Sequence, residues 1–136
     1  MFRSYVDQTL GYFDRPRLGV PDGPVDDPAA WRSADLVESD WLRSLSPVEA
    51  DEFAALGNGL VARGRPLEEL TRDQIDASAL AGLAERCRFE LDAGLGVVLL
   101  RGAPVDEVDV VACEAAFWAF GLLLGWPGAQ NGAGEL

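Results

Sequence analysis

The chain contains no histidine. That absence removes the imidazole base of Ser–His and Cys–His nucleophilic pairs, and the nitrogen ligand of common zinc and iron sites. Lysine is missing as well, all 11 basic residues being arginine. Neither a Schiff base nor a phosphate-loop lysine is therefore available. Cysteine is scarce: Cys87 and Cys113 are the 2 in the sequence, on separate predicted helices, too few for a cysteine-rich zinc site. They read as small buried hydrophobes rather than as a disulfide. Met1-Phe-Arg-Ser-Tyr5 offers no apolar leader toward an oxidising compartment, so the chain is expected to be cytoplasmic. The longest uncharged apolar run, Ala115 to Trp126, is too short for a bilayer and suits a core helix.

What is abundant is acid. Against those 11 arginines stand 23 Asp and Glu residues, a formal charge of −12 at pH 7. Such a surface repels phosphate backbones and anionic lipid, so neither nucleic acid nor membrane is an expected partner. With 49% hydrophobic and 25% charged residues over 136 positions, the composition is that of one globular domain rather than a disordered chain.

Residues 1–45 show little periodicity, and Pro16, Pro21, Gly23, Pro24 and Pro28 mark an extended, turning N-terminal arm. Trp31 and Trp41 are its anchors; a tryptophan on a polar arm pins it to the body of a domain or stacks on a ligand. At Ser46-Pro-Val-Glu49 a capping box with proline at the first helical position starts a helix that should run to about Arg63 and stop at Gly64. Phe53, Leu56, Leu60 and Val61 fall on one face at helical spacing. Gly57-Asn-Gly59 predicts a kink or split, each interior glycine costing about 1 kcal/mol relative to alanine.

Thr71-Arg-Asp-Gln74 offers a second cap, sufficient for a single turn. A further helix is expected over Ala79–Asp92 with Leu80, Leu83, Ala84, Cys87 and Leu91 inward, ended by Gly94. Val97 to Leu100 is continuously apolar, the pattern of a strand covered on both faces. Asp106 or Asp109 then caps a helix over about 107–124, apolar almost all round, with Glu114 the only charge past its first turn. Such a helix needs cover on several sides. One strand and two amphipathic helices offer too little, which implies more chain or another subunit.

Two candidate chemistries fail on context. Gly94-Leu-Gly96 precedes the strand instead of following it, so it is not a dinucleotide loop. Asp106-Glu107-Asp109 is either a weak cation site or a solvated helix cap. No spacing pairs two carboxylates across a cleft for hydrolysis.

Five segments in order carry a family resemblance: Ala30-Trp-Arg-Ser-Ala-Asp-Leu36; Trp41 followed by the Ser46-Pro-Val-Glu49 helix; Gly96-Val-Val-Leu-Leu-Arg-Gly-Ala-Pro-Val105; Phe117-Trp-Ala-Phe-Gly-Leu-Leu-Leu-Gly125; and Gln130-Asn131. Together, over about residues 28–136, they resemble the opening of a TauD/TfdA-type dioxygenase, the clavaminate-synthase-like oxygenases that use Fe(II) and 2-oxoglutarate. No single segment is diagnostic; order and spacing make the match. The Trp126-Pro-Gly128 stretch departs from the pattern.

The resemblance implies an α+β fold: a partial double-stranded β-helix (jelly-roll) scaffold, with N-terminal helices packed on an incomplete sheet. Residues 1–45 would be the arm and 46–136 the N-terminal part of the oxygenase domain. It implies an oxidoreductase that hydroxylates a small molecule, with iron in a His-x-Asp/Glu … His triad and a later arginine on the cosubstrate. None of those positions is in this chain, so it implies a segment truncated before the triad and inactive alone, with no catalytic or metal residue. Fe(II) and 2-oxoglutarate belong to the full-length family member, and the missing C-terminal oxygenase portion or a homo-oligomeric partner is the expected neighbour. Gln130 and Asn131 match positions near the active-site mouth, as substrate contacts or as amides capping a turn. Arg101 reads as an ion-pair residue. The alternative is a non-catalytic interaction or oligomerisation module derived from that scaffold.

Overall fold

The computed structural model describes residues 4–16, 19–128, 130, 131 and 133. The capping box decides where the main body begins. Ser46 Oγ accepts the Glu49 N–H at 3.3 Å, and Glu49 Oε2 accepts the Ser46 N–H at 2.7 Å. From this cap α3 runs over Pro47–Arg63 and ends at Gly64, whose φ of 62° is the left-handed stop that glycine adopts without strain. The helix is not split at Gly57-Asn58-Gly59. Gly57 is instead where α5 (Val110–Leu124) comes closest: a Cβ there would lie 2.2 Å from the Ala112 carbonyl oxygen. The glycine that weakens the helix in isolation lets two helices meet.

Helix α4 (Ser78–Asp92) has no side-chain cap of its own, and α3 supplies one: Glu52 Oε2 accepts the Leu80 N–H at 2.7 Å. Between α3 and α4, Leu67–Glu69 and Arg72–Gln74 form single 3₁₀ turns, the second with Gln74 Oε1 accepting the Thr71 N–H at 3.1 Å. The three long helices pack around one core of Phe53, Leu80, Leu83, Cys87, Ala116 and Phe120. A smaller cluster of Leu60, Ala115 and Ala119 lies between α3 and α5. Val61 and Leu91, expected inward, are 44% and 43% exposed. Val61 sits one position past Leu60 and so rotates off the buried stripe; Leu91 lies in the last turn of α4 and lines an open groove beside α5.

The strand is shorter than the apolar run. Only Leu99–Arg101 (β2) joins a ladder, parallel to Leu42–Ser44 (β1), with Leu42 opposite Leu99 and Ser44 opposite Arg101. Among the described residues the sheet has just these two strands. Val98 and Leu100 pack on the helical core, but Leu99 is 45% exposed. The expected cover on both faces is therefore incomplete: Val98 and Leu100 face the helices, while Leu99 is left partly open.

The arm is not extended throughout. Tyr5–Phe13 forms α1, capped by Ser4 Oγ on the Asp7 N–H at 3.1 Å, and Glu38–Trp41 forms the one-turn α2 directly before β1. The proline-rich stretch begins only after α1, so its residues never had to share a helix with Pro16. Trp31 does pin the arm: its indole N–H donates to the Leu95 carbonyl at 2.8 Å. No helix among the described residues is long and apolar enough to cross a membrane.

Candidate functional site

Helix α5 dictates where an exposed site lies. Its cap is Asp109, whose Oδ1 accepts the Val111 N–H at 2.9 Å, while Pro104 to Glu107 make a turn ahead of it. The helix thus starts at Val110 instead of 107. Four alanines line the buried side, Ala112, Ala115, Ala116 and Ala119, and they let α3 approach closely. The opposite side has no equivalent cover. Val110, Val111 and Phe117 are 67%, 53% and 74% exposed, so the shortage of cover read from the sequence is met among the described residues.

Beside that uncovered side, α4, β2 and α5 enclose an open groove of about 700 Å³. Phe53, Leu80, Leu99, Val105, Phe117 and Phe120 are among its lining residues, and Leu80 is fully buried. Glu114 is the only ionisable carboxylate among its described lining residues. The groove can receive an apolar surface; it has no constellation for acid–base or nucleophilic work.

A second, smaller pocket of about 390 Å³ lies behind Cys87, between Arg43, Arg86 and Glu90. Its charges are mutually engaged. Arg43 donates to the Ser39 and Asp40 carbonyls and pairs with Glu90 at 3.3 Å, while Arg86 pairs with the buried Glu49. Burial pushes the Cys87 thiol up, against the lowering effect of Arg86, so it stays protonated and is a poor nucleophile. Burial also raises Glu49, but hydrogen bonds from the Ser46 backbone and hydroxyl and from Arg86 outweigh it, and the net shift is below 4.5. Both cysteines are free thiols, Cys87 buried and Cys113 half-buried.

The residues singled out from the sequence are dispersed. Gln130 is exposed and its Nε2 donates to the Gly128 carbonyl at 3.1 Å. Asn131 Oδ1 accepts the Ala133 N–H at 3.0 Å, a side-chain turn of the kind weighed for this pair. Neither lines the groove among its described residues. Arg101 reaches Glu38 at 3.7 Å from an exposed strand end. Asp106, Glu107 and Asp109 are exposed around the α5 cap, and no group of three His, Cys, Asp or Glu among the described residues is placed to hold a metal. An iron facial triad does not fit these donors, since the chain has no histidine at all.

Comparison with known proteins adds one relative. Over 113 residues the chain is 26% identical to FR-33289 synthase of Streptomyces rubellomurinus (strain ATCC 31215). The chain is similar to a synthase. That stretch takes in 82% of this chain but 33% of the relative, so the chain spans about a third of the length of the curated protein it matches. No protein-family model matches the sequence. The likeness makes a distant relationship to that synthase.

The groove itself was not legible from spacing. Its walls come from segments far apart in the chain, and the apolar excess of α5 was the only signal for it.

Proposed function

We propose that this chain is the N-terminal portion of an Fe(II)- and 2-oxoglutarate-dependent oxygenase of the TauD/TfdA kind, contributing scaffold and no metal ligand. The fold is then part of a jelly roll, with α3, α4 and α5 as its flanking helices and β1 and β2 the start of a larger sheet. The parent reaction is oxidative decarboxylation of 2-oxoglutarate coupled to hydroxylation of a small molecule. The observation that carries the reading is the ordered set of motifs from Ala30 to Asn131. The alignment with a synthase, of which it takes in 33%, supports it. Gln130 and Asn131 are the residues of this segment nearest the substrate in that reading.

Two measurements test it. Alone, after anaerobic loading, the chain retains no stoichiometric Fe(II) and releases no CO₂ from 2-oxoglutarate; one bound iron per chain overturns the division of labour. A hybrid in which this chain replaces the aligned stretch of FR-33289 synthase is soluble and unfolds in a single transition. A hybrid that is insoluble, or melts in two independent steps, overturns the shared scaffold.

The exposed side of α5 also favours a second reading, a stand-alone oligomerisation module. Sedimentation separates the two: the module predicts a monodisperse oligomer of the isolated chain.

A further inference from the structure

The groove and the edge of β2 belong to one surface. Consecutive strand residues point to opposite faces of a sheet, yet both Leu99 and Leu100 line the groove. The groove must therefore reach round the strand's edge. That edge is the one away from β1. The Leu45 N–H donates to the Arg101 carbonyl at 2.8 Å, so Arg101 turns its backbone toward β1. Its neighbour Leu100 turns its own N–H and C=O the other way, because these groups alternate along a strand. No further strand lies there among the described residues.

An unpaired edge beside an apolar trough is a template for strand addition: the backbone pairs along the edge while alternate side chains fill the trough. A two-stranded parallel sheet is also too small to persist with one face open, since parallel sheets occur covered on both faces.

A second copy of this chain is a poor occupant. Each copy carries −12 at pH 7, and a two-fold contact across the groove brings Glu114 of each toward its mate with no basic residue among the groove's described lining to offset it. The available alternative is the roughly two-thirds of the synthase-type protein that this chain does not span. We infer that an apolar strand from that remainder adds to β2 along the Leu100 edge and seats its side chains between α4 and α5, against Phe117. This rests on the relationship proposed above and names the partner and its place on the chain.

The test uses the hybrid already described, with a thiol reporter in the groove. Phe117→Cys changes a residue that is 74% exposed, so the fold tolerates it, and Val48→Cys, at a position 65% exposed on α3, is the control. In the isolated chain both thiols react rapidly with a bulky maleimide, read by peptide-resolved mass spectrometry. In the hybrid, Phe117→Cys slows by about tenfold or more, as for a site that must open before it reacts, while Val48→Cys is unchanged. A hybrid that unfolds as one unit but leaves Phe117→Cys as reactive as in the isolated chain refutes the docking while sparing the relationship. A hybrid that never folds as one unit removes both. An isolated chain that sediments as a dimer with Phe117→Cys already protected assigns the groove to a second copy, and the inference fails.

Discussion

Replacing Gly57 by alanine sets two effects against each other, and the structure says which wins. In an isolated helix the change gains about 1 kcal/mol. Here the new Cβ would stand 2.2 Å from the Ala112 carbonyl oxygen, 2.9 Å from its carbon and 3.2 Å from Ala116 Cβ. The nearest atoms are backbone, so no rotamer change relieves the clash. Helices α3 and α5 must separate by about 1 Å, and a gap of that size forfeits roughly a quarter to a half of each van der Waals contact across it. The cost falls on Ala115 and Ala119, which pack with Leu60, and on Ala116 in the main core. A net destabilisation of about 2–4 kcal/mol is expected.

Gly59, two residues on in the same helix, has nothing within 4 Å of its Cβ position, so Gly59→Ala should gain up to about 1 kcal/mol. Urea unfolding followed by far-ultraviolet circular dichroism reads the difference. The two variants should straddle the wild type, with midpoints separated by roughly 1–3 M. A Gly57→Ala protein as stable as wild type, or more so, shows that the close approach of α3 and α5 is wrong.

Two further outcomes are expected. Glu49→Gln leaves the Ser46 cap weakened and Arg86 unpaired, at a cost of about 1–3 kcal/mol near neutral pH. Because the folded-state pKa of Glu49 lies below its ordinary 4.5, its contribution is complete above that value and fades as pH falls through the folded pKa. The gap between wild type and variant should therefore close in acid; a gap constant down to about pH 3 counts against it. In the isolated chain, Phe120→Ala, at a site 6% exposed, should cost about 3–5 kcal/mol, whereas Phe117→Ser, at 74% exposure, should stay within about 0.5 kcal/mol and reduce binding of an apolar dye. Equal destabilisation by both would mean that the uncovered side of α5 is already buried.

The helices were readable because their signals are local. Ser46, Pro47, Glu49 and Gly64 fix both ends of α3 within a few residues of the chain. What escaped was set by distant partners. Nothing in Leu42-Arg-Ser44 announces a strand, since it owes its form to register with Leu99 to Arg101. The role of Gly57 could not be read without Ala112, nor the cap of α4 without Glu52. Helix α1 was hidden by the prolines that follow it, although Ser4 and Asp7 form a recognisable cap. The candidate site divides the same way: the apolar excess of α5 showed that cover was needed, but its place beside β2 emerged only from the packing. Gln130 and Asn131 came from resemblance alone, and their visible bonds are turn-forming.

The pairing of Leu42 with Leu99 also sets an order of events. Its two halves are separated in the chain by both α3 and α4, so the ladder closes a long loop, which is entropically slow compared with coiling a helix. A nascent chain leaving the ribosome would present the lone strand Leu42–Ser44 while its mate was still unsynthesised. The helices must take shape first, and the sheet then records that they have docked correctly. Amide exchange at Leu45 would serve as the clock for that last step, since its N–H is sealed only when Arg101 arrives.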